Sequence, residues 1–263
     1  MYIEHSLMAD YFYAGLALLV IASFVAGYID SIAGGAGLIL IPAFMLTGLP
    51  PHMALGQEKL VSSVGTLAAI SNFIKNKSVY WQIIPAGIIS SFFGAWVGAK
   101  AIIYLPSETI TYIIICMLPI GLLAAFFKGK LGGAQQGSAV RKCKSVWLVF
   151  FTCFIVGFYD GFFGPGTGSI FIICLFLINN LDLLKSSATS KIFNLASNVG
   201  GLVAFIMAGH IAFLLSIPMI AASLLGNHLG SQHAIRTNGE IVRKILILTV
   251  GIMMVTLLIN LFR

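Results

Sequence analysis

The chain has 263 residues, of which 59% are hydrophobic and 9% charged, with a formal net charge of +7. A charged fraction this far below the roughly one-quarter of ordinary soluble domains makes the bilayer the solvent. It leaves no room for a soluble catalytic domain, and the basic excess does not point to nucleic acid because most of it lies in loops, where it sets orientation.

In chain order, residues 1–10 carry Glu4 and Asp10 but no Lys or Arg. They lack the basic n-region of a secretory signal, so the first apolar helix is expected to stay in the mature chain. That helix is predicted over Phe12 to Ile29 and runs into Gly27-Tyr28-Ile29-Asp30-Ser31-Ile32-Ala33-Gly34-Gly35-Ala36-Gly37. Ala36 to Leu49 is shorter than the ~20 residues a straightforward span needs, and reads as a helix shortened by Gly and Pro or a loop that enters and leaves on one side. Met53 to Ile74 carries Lys59 within a nearly charge-free stretch, and Ile83 to Leu105 and Ile110 to Phe127 complete a first membrane unit, residues 1–128. Residues 129–144 are predicted as a cytoplasmic linker.

The second unit, 145–263, opens with Val146 to Phe163 and then repeats the unusual text as Gly157-Phe158-Tyr159-Asp160-Gly161-Phe162-Phe163-Gly164-Pro165-Gly166-Thr167-Gly168. A second short stretch, Gly168 to Ile178, precedes Ala188 to Ala208 with Lys191, then Ile211 to Leu229 and Ile245 to Phe262. Cys116, Cys143, Cys153 and Cys174 show no C-x-x-C spacing, so no metal, disulfide or cofactor role is expected.

The Gly27/Gly157 and Asp30/Asp160 pairs are separated by 130 residues and Lys59/Lys191 by 132, an offset that Gly94/Gly226 and Gly98/Gly230 keep. Lys59, Ser62 and Thr66 share one helix face, as do Lys191, Asn194 and Asn198 at the same spacing. Two such faces, one from each half, could line one cavity, although Ser, Thr and Asn also glue membrane helices together. By insertion scales each central Lys or Asp costs ~2.5 to 3.5 kcal/mol, so Asp30, Lys59, Asp160 and Lys191 must be paired, hydrated by a cavity or nearer the surface. The plainest arrangement is an Asp–Lys pair within each half, with Glu58 as a local partner of Lys59; Ser190 stands at the equivalent place in the second half. Gly34, Gly35 and Gly37, with Gly164, Gly166 and Gly168, either permit close helix packing or break the helix. A break would aim backbone N–H groups at an anion, and Pro165 favours one in the second copy.

With ten crossings and an outside N-terminus, eleven of the fifteen basic residues fall in cytoplasmic loops, as the positive-inside rule asks. If the two short segments only dip in, the count is eight inside and five outside. Ten crossings also make each half odd-numbered, so the halves insert with opposite orientation. The predicted fold is therefore an all-α integral membrane protein of about ten hydrophobic segments in two inverted five-segment repeats, with short broken helices at the Gly-rich motifs.

G-Y-I-D-S-I-A-G-G-A-G-L at 27–38, G-L-P-P-H-M-A-L-G at 48–56, G-F-Y-D-G-F-F-G-P-G-T-G-S at 157–169 and S-A-T-S-K-I-F-N-L-A-S-N-V-G-G at 187–201 resemble the TauE/SafE family of sulfite exporter-like bacterial membrane proteins. The resemblance implies a multi-pass permease of the bacterial cytoplasmic membrane handling sulfite, thiosulfate, sulfonates or another small anion. The chain departs from the family where Gln57 and Glu58 precede Lys59, a position often Thr or Asn. Thr189, Lys191, Asn194 and Asn198 follow the pattern more closely.

The expected function is secondary transport of a small, sulfur-containing anion. Lys59, Lys191, Thr189, Asn194, Asn198, Ser62, Thr66 and the six glycines are the candidate contacts, and Asp30 and Asp160 orient the lysines or couple to protons. No catalytic residue, metal or cofactor is expected. The expected partners are the solute and the bilayer, with a homo-oligomer left open. The rival readings are a non-transporting scaffold or accessory subunit and an intramembrane aspartyl protease, for which the G-x-G-D motif is absent.

Overall fold

Apolar runs punctuated by Gly and Pro give helices whose ends fall where those residues stand. The structure is a computed structural model that describes residues 7–114, 116, 146–177, 181 and 183–237. The predicted linker, the segment Ile245 to Phe262 and most of Ile110 to Phe127 lie outside the described residues, as does Cys143. Among the described residues all regular structure is helical: after a turn at Leu7–Asp10 come α1 (Phe12–Ala33), α2 (Ala36–Leu46), α3 (Pro51–Lys75), α4 (Ile84–Ile103, with a 3-10 turn at Trp81–Ile83 before it), α5 (107–114), α6 (Val146–Phe162), α7 (Thr167–Leu177), α8 (Leu183–Met207) and α9 (Phe213–Thr237).

Among the described residues four stretches are long and apolar enough to cross a membrane: Phe12–Ile32, Trp81–Ile103, Lys185–Met207 and Phe213–Arg236. The polarity is inverted relative to a soluble protein. Ile21, Phe93, Ile155 and Leu225 face outward, whereas Asp30, Glu58, Lys59, Asp160 and Lys191 are buried. By contrast α2 and α7, eleven residues each, are only about 16 Å long at 1.5 Å per residue. That is roughly half of a ~30 Å hydrocarbon core.

Both short helices begin at a true break. Gly34 and Gly35 take φ of 74° and 143° between α1 and α2, and Gly164 and Gly166 take 97° and 81° between α6 and α7, values that side chains tolerate poorly. The second break is pinned by Tyr159, whose hydroxyl donates to Pro165 O at 2.8 Å, and by the Thr167 hydroxyl donating to Gly164 O at 2.6 Å. Gly37 and Gly168 lie inside α2 and α7 instead, where they allow close approach: a β-carbon on Gly168 would come 2.6 Å from Gly34 Cα, and one on Gly37 3.3 Å from Pro165. The two breaks therefore meet, backbone against backbone.

The halves interlock by helix crossings built on small residues. A β-carbon on Gly94 would lie 2.3 Å from Phe154 O, on Gly98 2.1 Å from Phe158 O, and on Gly157 2.5 Å from Ser91 O, which seats α4 on α6. Residues related by the 130- and 132-residue offsets make the matching contacts of α9 with α1: Gly226 with Phe24 O at 2.1 Å, Gly230 with Tyr28 O at 2.3 Å, and Gly27 with Ser223 O at 2.6 Å.

Side chains tie each end together. At one end His52 Nε2 lies 3.1 Å from Leu105 O and Gln57 Nε2 donates to Ala212 O at 2.9 Å. At the other, Asn72 Nδ2 donates to His228 O at 3.1 Å, and the Tyr80 amide donates to Thr189 Oγ1 at 3.1 Å.

Candidate functional site

Among the described residues five buried charges gather where the two glycine breaks meet. Lys59, eight residues into α3, extends its ammonium group to Asp160 Oδ1 at 2.8 Å and Asn198 Oδ1 at 3.2 Å. Its stem lies over Gly201, where a β-carbon would sit 3.4 Å from Lys59 Cδ. Lys191, eight residues into α8, donates to the backbone oxygen of Asp30 and to Asp30 Oδ2, the latter at 3.0 Å. Neither pair lies within one half. The expectation of an Asp–Lys pair inside each half is corrected: each aspartate takes the lysine of the other half, because the breaks carrying the aspartates cross at the centre.

The two aspartates are held differently. Asp30 Oδ1 accepts from the amides of Gly35 and Ala36 at 2.9 and 3.3 Å, so it satisfies donors that the start of α2 leaves unpaired. With the Lys191 contacts, its carboxylate is fully engaged. Asp160 accepts from Lys59 on Oδ1 while its Oδ2, buried, has no hydrogen-bond partner. Both carboxylates face ammonium groups, unlike an aspartyl dyad, in which two carboxylates share one site.

Beside Lys59 stands Glu58. Its Oε1 accepts from the Ser62 hydroxyl at 2.8 Å, and its Oε2 lies 3.2 Å from Lys59 Nζ but out of line for a hydrogen bond. Lys59 thus sits between two carboxylates and Lys191 beside one.

The predicted faces do meet. Asn198 bridges them, accepting from Lys59 and donating through Nδ2 to Asn194 O at 2.8 Å. Asn194 is buried alongside, and Thr66 Oγ1 is buried with no hydrogen-bond partner. Thr189 is not on this face: two residues before Lys191 it points about 200° away around the helix, and its Oγ1 accepts from the Tyr80 amide. The lysines converge on the second break, for a β-carbon placed on Gly164 would lie 2.8 Å from Lys59 Nζ and one on Gly168 3.7 Å from Lys191 Nζ. At the first break the Gly35 and Ala36 amides are occupied by Asp30.

A histidine pair lies apart from the predicted site residues. His52 and His210 stack with ring centroids 4.9 Å apart at one end of α3, and Ser107 Oγ lies 3.3 Å from His52 Nδ1. His52, in the first turn of α3, and His210, in the loop before α9, lie too far apart in the chain to carry a spacing signal. Burial, and then the neighbouring His52, hold the His210 imidazole below its usual range. A depressed histidine contributes stability above its unfolded value, about 6.5, and loses it as the pH falls. Hydrogen exchange at 208–213, corrected for intrinsic rates, should therefore rise on acidification through that value. The rise should shrink in His52→Gln, and an exchange pattern indifferent to pH would contradict the pairing.

The chain is similar to known proteins over most of its length. The family model described as "Sulfite exporter TauE/SafE" matches residues 19–257. A "Probable membrane transporter protein" of Haemophilus influenzae is 36% identical over 89% of this chain and 90% of its own length. "Probable membrane transporter protein YfcA" of Escherichia coli K12 is 32% identical over 92% and 89%, and "Probable membrane transporter protein ORF9" of Sinorhizobium is 33% identical over 92% and 91%. No solved structure matches the chain.

Proposed function

The chain belongs to the sulfite exporter TauE/SafE family, and from that premise we propose that it is a secondary transporter moving a small oxyanion, of the sulfite, thiosulfate or sulfonate class, across the bacterial cytoplasmic membrane. The observation that carries this reading is the pair of fully buried lysines converging on one glycine break, Gly164–Gly168, at the start of a half-length helix. An oxyanion seated there would meet two ammonium groups and the positive end of a helix dipole, which suit sulfur oxyanions. At rest Asp160 and Asp30 serve as counter-ions, so the solute must displace a carboxylate to bind. That exchange ties occupancy to rearrangement of the breaks and to the protonation of nearby acids.

The same reading takes residues 1–128 and 145–263 as two units of opposite orientation, joined by the 129–144 linker. The matching crossings of α4 on α6 and α9 on α1 support it, as does the crosswise lysine–aspartate pairing. Rocking of one unit against the other about the central charges would then give alternating access.

The test is flux into liposomes containing the purified protein, challenged with sulfite, thiosulfate, sulfonates, sulfate and small carboxylates, with and without a pH gradient. Lys191→Ala should abolish flux of the accepted anion while the protein still purifies as a folded species, because Asp30 keeps its two amide donors. Undiminished flux in that variant would remove Lys191 from the mechanism.

A further inference from the structure

The central cluster does not balance. Among the described residues the buried charged side chains are Asp30, Glu58 and Asp160 against Lys59 and Lys191, one negative charge in excess if all are ionised. An uncompensated charge in a low-dielectric interior is costly, and an incoming anion would double the excess. A cation must make up the difference, and the Lys59 ammonium, 2.8 Å from Asp160 and 3.2 Å from Glu58, already fills the space a metal ion would take between those carboxylates. A proton needs no such space.

The geometry also distinguishes the carboxylates. Asp30 receives two backbone amides on one oxygen and an ammonium group on the other, so both its oxygens are held. Asp160 receives the aligned, charge-assisted bond from Lys59. Glu58 receives only the Ser62 hydroxyl, with its ammonium neighbour out of line and Oε2 bare. These two carboxylates flank one ammonium, each with a buried oxygen that has no hydrogen-bond partner. Glu58 is the less well solvated of the two. It also has no acidic counterpart in the second half, where Ser190 donates to Ser187 O at 2.8 Å.

We propose that Glu58 is the proton-binding group of this cluster and that its proton travels with the anionic solute. The inference rests on the anion-transport reading for its second clause only. The proton comes from bulk water on the loading side onto Glu58 and leaves the cluster neutral, so that the anion enters without facing a surplus of negative charge. It returns to water on the far side. By linkage, the proton and the anion must raise each other's affinity by the same factor.

Two measurements on the full chain in lipid test the two clauses separately. Infrared difference spectra across a pH titration should show the carbonyl band of a protonated carboxylic acid. The band should move when glutamate is supplied with 13C at its side-chain carboxyl, disappear in Glu58→Gln and persist in Glu58→Asp. No band, or a band that the labelled glutamate leaves in place, overturns the assignment. Sulfite added to weakly buffered proteoliposomes should draw protons from the medium in the wild type and not in Glu58→Gln, which also loses accumulation driven by a pH gradient. Full gradient-driven accumulation in Glu58→Gln overturns the coupling. If the labelled band is present but none of the anions moves, the proton site stands and the transport reading falls; sulfite flux without the band has the opposite meaning.

Discussion

Asp30→Asn should be the most destabilising charge substitution in the protein, costing about 3–5 kcal/mol, the range for breaking a buried pair by removing one partner. The asparagine oxygen can still accept from Gly35 and Ala36, but its amide nitrogen replaces the oxygen that meets Lys191, setting donor against donor. Lys191 then keeps only the Asp30 backbone oxygen and is left without a counter-charge. Asp160→Asn should cost less, because Lys59 retains Glu58 at 3.2 Å and Asn198 at 3.2 Å and because the change removes the surplus negative charge. The double variant Asp30→Asn/Lys191→Met should recover most of the lost stability, as buried pairs replaced by apolar groups commonly do, yet carry no flux. Unfolding midpoints in detergent, followed by tryptophan fluorescence, check the order. Equal midpoints for Asp30→Asn and the wild type would mean that Lys191 finds another anion.

Much of this site was legible before any coordinates, because a charge in an apolar run has few places to go. Asp30, Lys59, Asp160 and Lys191, if buried, had to be compensated, and the repeated Gly-rich text had to be either a packing seam or a helix break; it is both, with Gly34, Gly35, Gly164 and Gly166 at the turns and Gly37 and Gly168 at the contact. What the sequence withheld was which aspartate meets which lysine. Pairing is set by how the two breaks cross, and a within-half and a between-half pair have the same spacing in the chain. The role of Asp30 as a cap was present in outline, since an acid just ahead of a helix start is a familiar way of satisfying free amides. Here it removes the very donors that the first break offered to a solute. Thr189 was misplaced for a simpler reason: motif proximity outweighed the 100° per residue that puts it on the far side of α8 from Lys191.

Glu58 shows the limit from the other side. As text it is an acid next to a lysine, the pattern of a local ion pair. In space the ammonium bends toward Asp160 of the other half, and the neighbour in sequence becomes the weaker partner. A departure from the repeat is therefore where the two halves cease to be equivalent, and an asymmetric proton site is what a symmetric pair of lysines needs if solute and proton are to move together.

Alanine at Gly98 should abolish or nearly abolish folding, although in an ordinary helix interior the same change stabilises by up to ~1 kcal/mol. The sign reverses because the new β-carbon would lie 2.1 Å from Phe158 O and 2.8 Å from Phe162 N. Overpacking usually costs ~1–3 kcal/mol where side chains can yield; here backbone faces backbone, so α4 and α6 must separate bodily, and a loss at or above ~3 kcal/mol is expected. Gly161→Ala meets Ala95 O at 1.8 Å and should behave alike. Gly209→Ala is the control: its φ is 75° with no heavy atom within 4 Å of the added carbon, so only the left-handed backbone penalty of ~1–2 kcal/mol applies. The informative comparison is Gly230→Ala, which meets Tyr28 O at 2.3 Å at the equivalent crossing of α9 on α1. If the two crossings carry the central charges as matched bearings, Gly98→Ala and Gly230→Ala should lower the thermal midpoint by similar amounts. A tolerated Gly230→Ala beside a lethal Gly98→Ala would mean that one crossing is rigid and the other yields, and the rocking of two equivalent units would have to give way to movement of α1 and α9 alone.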